Sequence, residues 1–557
     1  MTPADLSRAL FDLVTAAADR RRADGTEVEL DLRPEQVTLE RPKLREHGDW
    51  ASSIALRIAK SFGTNPRELA GELAAGLVEV DGVASAEVAG PGFINVRLDA
   101  AAAGALAKTI VDAGDAYGHG DSQAGRRINL EFVSANPTGP LHIGHTRWAA
   151  LGDAIGRVLR AAGADVAHEY YINDAGNQMD TFGTSVLAAA KGEPTPEGGY
   201  PGRYIADLAE QVLEREPHLL DLDDDVALHT AREIAYELQL AEIRASLARF
   251  NVHFDVWTSE RRLHAKDEDG VSAIDAAVER LRAQGHVYDE GDAVWVRTTD
   301  FGDDKDRVIR RGNGIYTYFA ADAAYYLDKG DRGYEHKIYL LGADHHGYVH
   351  RLKALAGAAG DDPERDVEVL IGQLVSVNGA KLSKRAGNII ELDDLQADLG
   401  TDALRYTLAR YPADSPLSID PDVLKRRTND NPVFYVQYAH ARTSAVARNA
   451  LAAGVDRSTF APELLEHESE SALLGALQEF PRVVAQAAEL REPHRVARYI
   501  EELAGLFHRW YDTCRVLPLG DEPVGDLQRT RLWLNDATGQ VIRNGLGLLG
   551  VTAPERM

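Results

Sequence analysis

The chain has 557 residues, with 61 basic and 88 acidic side chains for a formal net charge of −27, and 44% of it is apolar. That length exceeds what one hydrophobic core serves, so three to four domains are expected, and no apolar run approaches the length of a membrane span. A single cysteine, Cys514, excludes an internal disulfide framework and a thiolate zinc site, which points to the cytoplasm; the acidity favours solubility and gives no support to a polyanionic partner, which would have to meet local basic patches.

The chain opens on an amphipathic helix, Asp5 to Arg22, whose acidic residues are unlike those of a signal or transit peptide. Val28 to Leu32 reads as a strand, His47 to Ala51 as the opening of a helix with Trp50 as a core anchor, and Glu87-Val88 and Phe93 to Val96 as strands about Gly90-Pro91-Gly92. This small α+β unit is expected to span residues 1–118, with His119 to Ser122 as the way out.

From about residue 125 strand and helix alternate, the pattern of a doubly wound parallel sheet. Residues 126–133, RRINLEFV, read as a buried strand, Asn136 to Pro140 break regular structure, and Leu141 to Ala162 is helical. A strand passing through a Gly/Pro turn into a helix N-terminus commonly offers free backbone N–H groups to a nucleotide phosphate. His142 and His145 lie three apart and so share a face, while Gly144 lets a flat base or ribose approach. A bare HxxH fits surface decoration or half a metal site just as well.

A strand from Val166 to Ile172 ends in Asn173-Asp174-Ala175-Gly176, polar groups at the carboxyl edge where open α/β sheets bind ligands. Residues 180–300 read as a mostly helical insertion. Tyr316 to Phe319, a helix from Ala320, and strands Lys337 to Leu341, Val367 to Ile371 and Val375 to Val377 form the second half, with Tyr411 to Pro416 as the next boundary. This second, α/β unit is expected over 119–415, and a helical bundle over 416–557. Lys381-Leu382-Ser383-Lys384-Arg385, flanked by Gly379 and Gly387, follows a strand; by itself it is an exposed basic loop. Gly545 to Gly550 matches GxGxxG but lacks a following βαβ unit, so no nucleotide is expected there.

Taken together, SANPTGPLHIGHTR (134–147), YYINDAGNQ (170–178), GADHHGY (342–348), the KLSKR segment and the ending LLGVTAPERM resemble the arginyl-tRNA synthetases, members of the class I aminoacyl-tRNA synthetases. The likeness runs over essentially the whole chain. It implies a multidomain α/β protein: a Rossmann-like catalytic domain, an N-terminal α+β domain that contacts the tRNA elbow, and a C-terminal helical anticodon-binding domain. It further implies a monomer that joins L-arginine to tRNA(Arg) through an adenylate, with ATP and Mg²⁺ as a substrate complex and with no tightly bound cofactor.

By that resemblance Pro140, His142, Gly144, His145, Gly342, Asp344, Lys381, Leu382, Ser383 and Lys384 hold ATP. His142, His145, Lys381, Ser383 and Lys384 act on its phosphates. Leu382 stands where the family usually has Met, a nearly volume-conserving change. Arginine itself is a permanent cation and needs carboxylates around it. Glu131, Ser134, Asn136, His142, Tyr318, Asp322 and His345 match the positions that hold it, with Glu131 and Asp322 facing the guanidinium, Tyr318 packed on it, and Asn136 at the α-amino or α-carboxyl end. Tyr318 and Asp322, four apart, share a helical face. For tRNA, Lys425, Arg426, Arg427, Tyr435 and Arg442 interleave cations with aromatics as unstacked bases require, a pattern that also fits a helix burying its aromatics. His345-His346 with His350 could suggest a metal site, but no third ligand has suitable spacing.

Overall fold

A computed structural model describes residues 3–42, 47–377, 390–520 and 522–557. The N-terminal unit packs helices Pro3–Ala23 and Pro66–Val78 against a three-stranded antiparallel sheet with Phe93–Leu98 in its centre. Trp50 is buried beneath the Arg41 guanidinium, the anchor its sequence suggested. Two expectations fail. Val28 to Leu32 alternates but pairs with no strand among the described residues, so Val28 is buried in an extended loop; and Trp50–Ser52 is a strand, the helix starting only at Ile54. Backbone pairing, not side-chain alternation, decides whether a strand exists.

The catalytic sheet is parallel throughout, in the order Val367–Gly372, His336–Gly342, Arg127–Glu131, Asp165–Ile172, Val256–Ser259. The central strands are buried on both faces yet carry Asn129, Glu131, His168, Glu169 and Lys337 among their apolar residues, so these polar groups are buried with the sheet. Residues 180–300 are not one helical block. Helices Asn177–Ala190, Arg203–Arg215 and Asp224–Arg249 form a cluster with its own core. The chain then returns to supply the edge strand Val256–Ser259 before a second excursion, helices Glu260–His264 and Ala273–Ala283 with a three-stranded antiparallel sheet over 287–310.

Val375–Val377 pairs in parallel with Leu417–Ile419, and four long helices, Pro432–Ala452, Glu468–Leu490, His494–Thr513 and Asp526–Leu548, complete the chain. The bundle shares one continuous core with the catalytic sheet. Buried Arg405 ties them: it pairs with Asp153 of the Ile143–Ala161 helix and donates to the carbonyls of Phe250, Asn251 and Leu549. The end of the N-terminal unit docks too, since the Asn544 amide donates to the carbonyls of Gly114 and Tyr117 at 3.0 and 2.9 Å. The GxGxxG string sits in the last helix and its end, where a Cβ on Gly545 would collide with Ile500; the glycine serves helix packing.

Candidate active site

The strand Arg127–Glu131 leaves the sheet through a strained turn. Val133 and Ser134 have φ of 67° and 40°, the left-handed region that β-branched residues avoid. The turn is held by side chains: Ser134 Oγ donates to Glu131 at 3.2 Å and accepts the Tyr171 N–H at 3.1 Å, while the Tyr170 hydroxyl donates to the Ala135 carbonyl at 2.9 Å. After Pro140 and Leu141, the Ile143–Ala161 helix begins with His142 as its N-cap.

The two imidazoles cap that helix reciprocally. The Gly144 N–H donates to His142 Nδ1 at 3.2 Å, and the His142 N–H to His145 Nδ1 at 3.4 Å, with the rings stacked 3.8 Å apart. The expectation of free N–H groups at this helix start is therefore corrected: the Gly144 and His142 donors are used internally, and the Ile143 N–H donates to the Ile390 carbonyl. Burial lowers both imidazoles, His145 to about 3, so both are neutral at pH 7. With Nδ1 accepting, each ring must carry its proton on Nε2, and these N–H groups are what the turn can offer a phosphate.

Lys381, Leu382, Ser383 and Lys384 lie outside the described residues, but both flanks of their segment are attached to the histidine turn. On the entry side, Arg147, fully buried two residues beyond His145 on the same helix, donates to the carbonyls of Gln373 and Pro412, both at 2.9 Å. Burial lowers its guanidinium to about 10, still charged at neutral pH. On the exit side, Ile143 N–H to Ile390 and Leu392 N–H to Leu141 form a short antiparallel bridge around His142 and Glu391.

A cavity of about 670 Å³ opens over these strand ends, lined by Glu131, Ser134, Asn136, Tyr171 and Asn173 on one side and by His142, Gly144, His145, Gly342 and Gln373 on the other. Its size is that of a small-molecule site. Asp344 and His345 lie on the 3₁₀ turn Ala343–Tyr348 that follows Gly342; their side chains are not described. Asp174, whose role the sequence left open, latches the strand end: it accepts from Tyr236 and Ser259, both at 2.6 Å.

The acidic wall differs from its sequence expectation. Glu131 is ion-paired at 2.6 Å with Lys329, a lysine with no exposed surface that also lies 4.3 and 4.1 Å from the rings of Tyr325 and Tyr339. Asp322, half-buried on the Tyr318–Asp331 helix, has no such ion pair among the described residues. Burial pushes its carboxyl up to about 7, Glu260 and Glu131 add repulsion, and the Tyr348 hydroxyl and Arg351 oppose the shift. Tyr318 starts that helix, as the spacing required, but stands 76% exposed, away from the cavity lining.

In the bundle, Lys425 pairs with Asp398 at 2.6 Å and Arg426 with Asp430 at 2.8 Å, and both line an open depression with Arg427 and Phe434. Tyr435 and Arg442 face the His494–Thr513 helix instead. Arg442 lies 4.7 Å from the ring centres of both Tyr438 and Tyr511, with Nη1 at 3.0 Å from His508 Nδ1. Phe434 stacks on Tyr438 at 5.9 Å and links the two faces. The sequence singled out neither His508 nor Tyr511, which come from a later helix, His508 lying 66 residues downstream of Arg442.

Three family models match most of the chain: an arginyl tRNA synthetase N-terminal domain over residues 7–98, a class I (R) tRNA synthetase catalytic domain over 108–408, and a DALR anticodon binding domain over 436–557. The arginine–tRNA ligases of Pseudarthrobacter chlorophenolicus and Paenarthrobacter aurescens are each 62% identical to it, with 100% of both chains covered. The solved Thermus thermophilus arginyl-tRNA synthetase has the same fold, with a TM-score of 0.74 at 21% identity over 100% of each chain.

Proposed function

The chain belongs to the arginyl-tRNA synthetase family and is an arginine–tRNA ligase; from that premise we propose how its residues divide the work. The arginine carboxylate attacks the α-phosphate of ATP, the bond to the β-phosphate breaks, and pyrophosphate leaves. A tRNA 3′-terminal hydroxyl, by family resemblance the 2′, then attacks the adenylate carbonyl and AMP leaves. The protein supplies position and charge complementarity.

His142 and His145, neutral and donating through Nε2, hold the phosphates without adding charge. Lys381, Ser383 and Lys384 neutralise the departing pyrophosphate. Pro140, Gly144, Gly342, Asp344 and Leu382 cradle the nucleotide, Asn136, Ser134 and His345 hold the backbone end of arginine, and Asp322 meets its guanidinium. Tyr318, exposed at the start of its helix, packs over the arginine side chain. Mg²⁺ rides on ATP as part of the substrate. Residues 1–118 contact the tRNA elbow, and residues 416–557, through Lys425, Arg426, Arg427, Tyr435 and Arg442, contact the anticodon loop. The enzyme works as a monomer in the cytoplasm.

The observation that carries this reading is that the flanks of the Lys381–Lys384 segment are bonded to the His142 turn and to Arg147 of the helix it caps, at the cavity that Glu131 lines. Charging assays with total tRNA and each amino acid in turn test it: arginine alone should be attached, and attachment of another amino acid at comparable kcat/KM would reject it.

A further inference from the structure

A fully buried lysine is expensive to the fold, because its ammonium gives up its hydration and must be met by opposite charge. Lys329 has no exposed surface. Its Nζ donates to Glu131 Oε2 at 2.6 Å and lies near the rings of Tyr325 and Tyr339, whose faces favour a cation. Glu169, another buried acid of the sheet, accepts its own hydrogen bonds from Asn129, Thr258 and Arg332. The hydrogen bonding of Lys329 is therefore directed at Glu131, although Lys329 is not among the residues that line the cavity.

Glu131 passes that constraint on. Its second oxygen, Oε1, accepts the Ser134 hydroxyl at 3.2 Å, and the same hydroxyl oxygen accepts the Tyr171 N–H at 3.1 Å. The left-handed pair Val133 and Ser134 persists only where its surroundings over-determine it. The Tyr170 hydroxyl also holds this half of the turn, through the Ala135 carbonyl, and Ala135 and Asn136 line the cavity. Further along, the turn has anchors of a different origin: the Tyr204 hydroxyl donates to the Thr138 carbonyl at 3.0 Å, and Leu141 and Ile143 are bonded to Leu392 and Ile390. Lys329 thus bears on the half of the turn at Ser134 and Asn136, and far less on the histidines.

Resting on the assignment of Ser134 and Asn136 to the backbone end of arginine, we infer that Lys329 is a positioning residue for arginine binding. It fixes Glu131 with one oxygen on its own ammonium and the other on Ser134, and so keeps the strained turn in the shape that presents Ser134 and Asn136 to the substrate. Without the ammonium the buried carboxyl takes up a proton or turns to another donor. In either event its acceptor toward Ser134 is no longer set.

The test is steady-state charging by the full chain, with a melting curve for each protein: wild type, Lys329→Met, and Lys329→Met combined with Glu131→Gln, in which neither partner is left charged. Lys329→Met, assayed well below its melting temperature, should raise the KM for arginine by about tenfold or more, as loss of hydrogen bonds to charged groups does, while the KM for ATP stays within about twofold. The double variant should recover most of the lost melting temperature yet keep the KM for arginine roughly fivefold or more above wild type, because nothing then fixes which end of the Gln amide meets Ser134. It also decides the matter if the single variant fails to fold. A purely structural pair would instead restore stability and arginine KM together. An arginine KM of the double variant within twofold of wild type, or a parallel rise of the arginine and ATP KM values in Lys329→Met, overturns the role of Lys329. An Asn136→Ala enzyme with an unchanged KM for arginine would instead overturn the site assignment on which the proposal rests.

Discussion

The charge state of Asp322 yields a prediction with a definite sign. In the empty site its carboxyl sits at about 7 because burial disfavours the ion and Glu260 and Glu131 repel it, with Tyr348 and Arg351 opposing. A guanidinium prefers the ionised form, so binding should release a proton wherever the empty site holds one. About one molecule in ten is ionised at pH 6 and about nine in ten at pH 8, so the arginine Kd should rise about tenfold from pH 8 to pH 6. Calorimetry in two buffers of different ionisation enthalpy reads both the affinity and the protons released. Asp322→Asn should bind at least tenfold more weakly at pH 8 and lose most of the pH dependence. The stability effect has the opposite direction: a carboxyl raised in the folded state destabilises it increasingly as pH climbs from about 4 through 7. The variant should therefore melt above wild type at pH 8, the difference closing near pH 4. A wild-type Kd that is flat from pH 6 to pH 8, with no proton release, refutes the reasoning.

Four further outcomes are expected. Lys329→Met strands the buried Glu131 carboxylate and should cost about 3–5 kcal/mol of stability in denaturant unfolding; a loss under 1 kcal/mol would mean that the pair is not desolvated. Arg147→Lys cannot reach both the Gln373 and Pro412 carbonyls and should slow tRNA-supported pyrophosphate exchange by roughly tenfold while the arginine Kd holds. Lys384→Ala should depress the same exchange far more than it weakens arginine binding, and an unchanged rate would remove its role. Arg442→Ala should raise the KM for tRNA and flatten its salt dependence, leaving the KM for arginine unaltered; a salt slope equal to wild type would move the anticodon contact elsewhere.

What the sequence made legible follows the length scale of each interaction. The histidine turn could be read because its strand, its Asn-Pro-Thr-Gly-Pro break and its helix are contiguous. The Asp322 helix could be placed from spacing, but spacing does not say which of its residues faces the slot, and Tyr318 and Asp322 came out with opposite exposure. Lys329 pairs with a carboxylate 198 residues away. A faint signal existed: Asp322, Tyr325, Tyr326 and Lys329 fall on one helical stripe, so a lysine there was poised for burial beside the acids. Val256 to Ser259 escaped notice because a four-residue edge strand between helices carries almost no periodicity, and with it went Glu260. Reciprocal capping by His142 and His145 depends on ring tilt, which residue spacing alone does not encode.

The most direct test of the account is a crystal structure of the protein with a non-hydrolysable arginyl-adenylate analogue. The account places the group standing in for the α-phosphate within hydrogen-bond reach of an Nε2 of the histidine pair, and the guanidinium against Asp322, with Glu131 still on Lys329. A guanidinium held elsewhere, or a phosphate mimic remote from both imidazoles, would contradict it.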